Sequence, residues 1–162
     1  MDLSKLSTGD KVTGVSGIVL FIASFFPWLG VSAGGFSADA SAWSFTLLMF
    51  AVIIGVAIAV LVVLKAFGVE LPKVGNITWN QILGIAAIVV FALIAIKLIT
   101  GPSGWNGVSI PGGVSKERKI GLWIGLLASI GLVVGSVINL RESGEMPSGL
   151  GGAKGGDTPP TA

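Results

Sequence analysis

Four long apolar segments constrain this chain more than any other feature of its sequence. They cover about residues 12–31, 43–67, 82–100 and 120–140. A helix needs about 20 mostly apolar residues to cross a hydrocarbon core of about 30 Å, and each segment is close to that length. None contains an acidic residue, and none has the polar face of a soluble helix. The sequence therefore predicts an all-α membrane protein, with a four-helix transmembrane bundle within residues 1–141.

The composition agrees with this class and limits the chemistry that the chain can perform. Only 11% of the 162 residues are charged, whereas soluble domains have about a quarter. Cysteine, histidine and tyrosine are absent, which removes thiolate chemistry and the commonest general base and metal ligand. The net charge of +2 comes from scattered residues and does not suggest nucleic acid as a partner. No cofactor, metal site or enzymatic activity is predicted.

Proton-coupled transport is not predicted either, because it generally relies on an ionisable residue inside the bundle. No aspartate, glutamate or histidine lies within the four predicted spans. Small multidrug exporters also have four helices, but they depend on a glutamate in the first, and residues 12–31 contain none.

The tryptophans support the predicted span boundaries. All five lie at or beyond the ends of the segments, namely Trp28, Trp43, Trp79, Trp105 and Trp123. Indole rings favour the headgroup region of a bilayer, where one edge is hydrated and the body is apolar. This pattern predicts that the tryptophans mark the membrane interfaces.

The lysines and arginines predict the orientation, because cytoplasmic loops carry an excess of them. With a cytoplasmic N-terminus, the first outer loop, residues 30–42, has no basic residue. The inner side then holds Lys5, Lys11, Lys65, Lys73, Arg141 and Lys154. The outer side holds Lys97 near the boundary and the run KERK at residues 116–119, which opposes this assignment. Since the first hairpin usually dominates insertion, both termini are predicted to be cytoplasmic, with the chain in the plasma membrane.

Two terminal features accompany the spans. Ser7 with Asp10 three residues later has the pattern of a helix N-terminal cap. Residues 142–162 are rich in glycine, proline and serine and are predicted to form a disordered cytoplasmic tail. The alternative for the first segment is a cleaved signal peptide, since Val31-Ser32-Ala33 has the small-residue spacing of a cleavage site.

Small residues four apart predict close helix packing. Gly121 with Gly125, and Gly131 with Gly135, have this spacing in the fourth segment, and Gly55 lies in a similar series in the second. They are predicted to pack helices within the bundle, with homo-oligomer formation as the alternative.

The two predicted outer loops resemble each other. Both fit W-x-G-V-S followed by Gly-Gly, with the key residues Trp28, Gly30, Gly34 and Gly35 in one loop and Trp105, Gly107, Gly112 and Gly113 in the other. Two hairpins of like orientation predict a parallel repeat, and a chance match between loops rich in glycine and serine is the alternative. The glycine pairs suit tight turns, so the loops are predicted to form β-hairpins and together a small outer β-sheet.

Charged residues near this face are few. Lys97 is predicted either to extend its amine outward to the interface or to form an ion pair with Asp39 or Glu117.

The chain resembles a family of small four-helix integral membrane proteins of actinobacteria. The resemblance rests on FFPW at residues 25–28, the following Gly/Ser-rich loop, and KIGLW at residues 119–123. Such families carry no established activity, so the resemblance implies a location and a four-helix fold. The layout is also similar to that of claudin-like proteins, whose paired loop cysteines are absent here.

These features favour a non-enzymatic scaffold or accessory subunit that uses its outer Trp/Gly loops to contact a membrane-protein partner. The alternative is a small channel or facilitator formed by a homo-oligomer. A lipid-handling protein, with membrane lipid as its partner, is the third option.

Overall fold

The computed structural model describes residues 4, 6–72, 74–102 and 115–145. This part of the chain is mostly helical and includes a small β-sheet. The helices are α1 (Thr8–Ala23), α2 (Thr46–Ala66), α3 (Trp79–Thr100) and α4 (Ile120–Glu142). The strands are β1 (Pro27–Ala33), β2 (Phe36–Ser41) and β3 (Ser115–Arg118).

Helices α2, α3 and α4 are long and apolar enough to cross a membrane. They contain 21, 22 and 23 residues, which at 1.5 Å per residue gives lengths of about 30–35 Å. Their bounds agree with the predicted segments to within about three residues.

Helix α1 is shorter than the sequence predicts. It has 16 residues, a length of about 24 Å, and it ends at Ala23 rather than at Val31. Pro27 has no N–H to donate to a helix and disfavours helical backbone in the residue before it, so the chain turns and enters β1 instead. The predicted end of the first span was therefore wrong by eight residues.

Two helices begin with side-chain caps. The Ser7 hydroxyl accepts a hydrogen bond of 3.0 Å from the Asp10 backbone N–H at the start of α1, which confirms the predicted cap. Thr78 and Gln81 form a reciprocal capping box at the start of α3. Such caps satisfy backbone donors that have no partner within the helix.

The four helices pack in a ring, in which α1 contacts α2 and α4, and α3 contacts the same two helices. Successive helices run in opposite directions. The end of the bundle at which α1 and α3 finish carries the β-sheet and is called the sheet end. The opposite end, where α1 and α3 begin, is called the polar end because of the side chains described below.

Apolar side chains fill the inside of the ring and also cover much of its outside. The largest fully buried helix residues include Leu20, Leu48, Leu83, Ile94, Leu122 and Leu132. On the outside, Val15, Ile18, Ile85, Ile88 and Leu127 are all more than half exposed. A helix that is apolar on both its inner and outer faces is typical of a lipid environment.

The sheet has three antiparallel strands in the order β2-β1-β3. The first predicted loop forms the hairpin β1–β2, and a small sheet is present as predicted, whereas most of the second predicted hairpin lies outside the described residues. Its third strand is the charged segment Ser115–Arg118, which the sequence analysis treated only as a run of charge.

The described structure continues beyond the predicted start of the tail. Helix α4 ends at Glu142 and the following turn reaches Glu145. The tail prediction was therefore wrong for residues 142–145, and residues 146–162 lie outside the described residues.

Candidate functional site

Trp28 joins the sheet to the helices. The pairing of β1 with β2 shifts between Pro27 and Leu29, which makes Trp28 the extra residue of a β-bulge. A bulge redirects side chains, and here both Trp28 and Leu29 are 0% exposed although neighbouring strand residues normally point to opposite faces. The Trp28 Nε1–H donates a hydrogen bond of 2.7 Å to the carbonyl oxygen of Ala23, the last residue of α1.

The indole ring of Trp28 packs against two glycines of α4. A Cβ on Gly125 would lie 2.6 Å from the Trp28 Cζ2, and a Cβ on Gly121 would lie 2.6 Å from the Pro27 carbonyl oxygen. Both distances are too short for a real side chain. Gly121 and Gly125 thus contact an indole ring within the monomer rather than another helix.

The predicted interface position of Trp28 was wrong, because a side chain with no exposed surface contacts neither lipid nor a partner. Trp43 and Trp123 differ from it, with exposures of 39% and 50%. Trp79 is half-buried and donates a hydrogen bond of 2.8 Å from Nε1 to the Pro72 carbonyl oxygen. An interface position stays a prediction for these three residues.

Gly30 leaves space for the Lys119 side chain, which lies over β1 and reaches both neighbouring strands. Its register partners are Asp39 on β2 and Glu117 on β3. The Lys119 Nζ lies 3.2 Å from Asp39 Oδ1 and 2.6 Å from Glu117 Oε2, so one amine pairs with both carboxylates. A Cβ on Gly30 would lie 2.7 Å from the Lys119 Cε. Gly30 is therefore a close-approach position in the sheet, and it is buried rather than available as a contact residue.

Hydrogen bonds favour the charged forms of this ion-pair cluster. The hydrogen bond from Lys119, with a second from the Ser32 hydroxyl at 2.7 Å, lowers the pKa of Glu117 below its usual value. The hydrogen bonds to Glu117 and then to Asp39 raise the pKa of Lys119. These shifts favour the charged forms of Glu117 and Lys119, and the cluster links all three strands.

Lys97 occupies a different environment from the one predicted. It is 7% exposed, so its side chain is packed within the protein, and Nζ lies 5.0 Å from the centroid of the Phe45 ring. A cation over an aromatic face is stabilised by the ring quadrupole. The ion pairs of Asp39 and Glu117 are formed with Lys119, so the partner predicted for these carboxylates was wrong.

The tip of the β1–β2 hairpin is the exposed part of the predicted interaction loop. Gly34 and Gly35 have φ angles of 56° and 84°, which a type I′ turn requires at both central positions. Both glycines are exposed, and Phe36, the next residue, is 84% exposed. Residues 36–39 are exposed in succession. In the described part of the chain, β2 is an edge strand with β1 on one side only.

The second predicted loop cannot be compared with the first. Trp105, Gly107, Gly112 and Gly113 all lie outside the described residues. The parallel repeat therefore stays a prediction.

The remaining glycines predicted for helix packing lie at helix contacts within the monomer. A Cβ on Gly135 would lie 2.7 Å from the Thr13 backbone nitrogen, and one on Gly131 would lie 3.1 Å from the Ser16 Cβ. A Cβ on Gly55 would likewise lie too close to the Leu20 side chain. These small-residue faces bring α1 close to α4 and α2, and are occupied in the monomer.

A buried carboxylate lies at the polar end, and sequence analysis missed it. Asp10 is 4% exposed, and its carboxylate receives hydrogen bonds from Lys65 Nζ at 2.9 and 3.1 Å and from Asn139 Nδ2 at 3.0 Å. The Asn139 Oδ1 in turn accepts a hydrogen bond from the Ser7 hydroxyl. One carboxylate of α1 is thus held by side chains of α2 and α4.

A second carboxylate extends this polar network to α3. The Lys65 Nζ is 3.4 Å from the Asn80 Oδ1, and Glu145 Oε2 accepts hydrogen bonds of 3.0 Å from Asn80 and 2.9 Å from Thr78. Desolvation raises the pKa of Glu145, but the hydrogen bonds from Thr78, Asn80 and Ser143 and the charge of Lys65 together outweigh it, so the pKa is lowered. The network therefore connects all four helices.

The sequence contains an indirect indication of this network in the spacing of its polar residues. The predicted first span began at residue 12, and Asp10 was interpreted only as part of the helix cap with Ser7. Ser7, Asp10 and Thr13 recur at three-residue spacing, as do Ser136 and Asn139, which places each set on one helical face. Polar residues with helical spacing next to an apolar run indicate a buried polar contact, and not only a cap.

The fold and both ends define a class of protein, a mostly helical protein with three helices long and apolar enough to cross a membrane and a small sheet at one end of the bundle. Among the described residues, no group of three or more His, Cys, Asp or Glu side chains is arranged to hold a metal ion. No protein-family model matches the chain, and no curated protein has a significantly similar sequence.

Proposed function

We propose that this protein is a non-enzymatic membrane scaffold or accessory subunit that binds an extended segment of a partner protein along strand β2. In this proposal the chain crosses the plasma membrane four times, both termini are cytoplasmic, and the sheet end faces outward. The observation that carries the proposal is an exposed edge strand on a sheet that is rigidly attached to the helices.

Helix α1 is proposed to cross the membrane despite its length of 16 residues. Its outer face carries apolar side chains from Val15 to Ile22 that are 38–62% exposed. Phe25 and Phe26, which follow it, are also 63% and 47% exposed and extend the apolar surface toward the sheet. A span somewhat shorter than the hydrocarbon core is accommodated by local thinning of the bilayer at modest cost.

The outer edge of β2 has backbone groups that can pair with an additional strand. Exposed edge strands present unpaired backbone N–H and C=O groups, to which an extended peptide adds as a further strand. In a two-residue hairpin the residues next to the turn pair with each other, and paired positions then alternate along the ladder. Ser37 and Asp39 therefore direct their backbone groups away from β1.

The attachment of the sheet makes binding at this edge favourable. Trp28 holds β1 against α4, and Lys119 joins β2 to β3 across β1. A preformed strand loses little conformational freedom when a peptide binds. Phe36, which is 84% exposed at the turn, supplies an aromatic contact, and aromatic residues are enriched where interfaces are strongest.

Site-specific photocrosslinking in membranes of the source organism tests this proposal. A photoreactive phenylalanine analogue in place of Phe36 is expected to give one adduct of discrete mass. The substitution Ser37→Pro removes an outward-facing N–H and is expected to lower the adduct yield about tenfold, because proline blocks pairing at an edge.

Ser37→Ala is the matched control, since it keeps the backbone N–H and is expected to leave the yield unchanged. The same probe at Trp123, exposed on α4, is expected to give no adduct of that mass. An adduct that survives Ser37→Pro, or no adduct from Phe36, would contradict binding at β2.

A further inference from the structure

An apolar groove runs along the outside of the bundle between α1 and α2, which we call the α1–α2 groove. It has two adjoining sections of about 290 Å³ and 350 Å³ that share Ile18 and Val63. The section toward the middle of the bundle extends to Phe21, and the other reaches Leu6 and Lys11 at the polar end.

The sequence produces this groove through a contrast in side-chain size. Gly17 and Ala59 bring the two helices into close contact, since a Cβ on Gly17 would lie 2.6 Å from the Ala59 Cβ. These residues form the floor, and larger exposed side chains such as Phe21 and Val60 form the walls. The result is a long apolar channel that is open on the side facing the lipid.

The charge at the polar end of the groove indicates what occupies it. Lys11 lines the groove and is exposed, and among the described residues it has no ion-pair partner. The neighbouring carboxylate of Asp10 is already paired with Lys65 and is buried. An apolar channel that ends at one uncompensated ammonium group complements a molecule with a long apolar chain and an anionic head.

We infer that the α1–α2 groove binds an anionic phospholipid of the leaflet at the polar end, with an acyl chain in the groove and the phosphate group at Lys11. The assignment to the cytoplasmic leaflet rests on the orientation proposed above, and this leaflet is rich in anionic lipid. The binding site itself does not depend on any partner at β2.

Native mass spectrometry of the full chain tests the inference, with phosphatidylglycerol and phosphatidylcholine of identical acyl chains as probes. Both lipids carry a phosphate, but the choline ammonium of phosphatidylcholine offsets its charge and is repelled by Lys11. We therefore expect one phosphatidylglycerol to bind about tenfold more tightly than phosphatidylcholine. Lys11→Gln is expected to abolish this preference. Ile18→Trp fills the groove and is expected to weaken both lipids by about tenfold.

Matched controls separate this site from general lipid contact. Lys116→Gln removes an exposed lysine at the sheet end, and Ile85→Trp enlarges an exposed residue of α3; both are expected to leave binding unchanged. Equal affinity of the wild type for the two lipids, or equal effects of Ile18→Trp and Ile85→Trp, would overturn the inference. A dimer that Ile18→Trp dissociates would assign the groove to a second copy of the chain.

Discussion

Replacement of Trp28 by alanine is expected to lower the free energy of unfolding by about 3–5 kcal/mol, the range for removing a fully buried tryptophan. The side chain is 0% exposed and fills the space left by Gly121 and Gly125. Its loss leaves a cavity that two glycines cannot fill, and also removes the hydrogen bond to the Ala23 carbonyl. Unfolding in mixed detergent micelles, followed by circular dichroism, measures the change.

Trp123→Ala is the matched control, because this residue is 50% exposed on the same helix that receives Trp28. It is expected to change the free energy of unfolding by less than about 1 kcal/mol. Equal effects of the two substitutions would mean that Trp28 does not attach the sheet to the helices.

Lys65→Met is expected to destabilise the protein by about 2–4 kcal/mol, because it leaves the Asp10 carboxylate in a buried position with Asn139 as its remaining described side-chain donor. The value lies toward the lower part of the range for breaking a buried ion pair, since the Lys65 side chain is 28% exposed and that of Asp10 is 6% exposed. The same unfolding measurement applies.

The double substitution Asp10→Asn with Lys65→Met separates charge from packing. It removes the uncompensated charge, so we expect it to recover more than half of the stability lost by Lys65→Met alone. Lys11→Met, which replaces an exposed lysine of α1, serves as the control and is expected to have little effect. A double variant as unstable as the single one would show that Asp10 is not held by the charge of Lys65.

Sequence patterns correctly predicted the features that depend only on neighbouring residues. Helices α2, α3 and α4 follow from apolar runs of spanning length, and the Ser7 cap follows from a serine three residues before Asp10. The glycine pair at residues 34 and 35 correctly indicated a hairpin turn, because few other residues adopt positive φ at both positions.

The errors arose where distant parts of the chain meet. Trp28 has the composition of an interface residue, and only the glycines of α4, more than 90 positions later, make it a core residue. Asp10 was interpreted only as part of a helix cap because its side-chain partners, Lys65 and Asn139, come from two other helices. The ion pairs of Asp39 likewise depend on the register of β3, which no local pattern specifies.

The orientation of the sheet end is the central claim, and cysteine labelling tests it most directly. The chain has no native cysteine, so each introduced thiol reports alone. In intact cells, a membrane-impermeant maleimide is expected to label Ser37→Cys on β2. Asp2→Cys and Ser143→Cys are expected to react only after the membrane is permeabilised. Labelling of both Asp2→Cys and Ser37→Cys in intact cells would contradict a span formed by α1, and labelling of Ser143→Cys but not Ser37→Cys would place the sheet end in the cytoplasm.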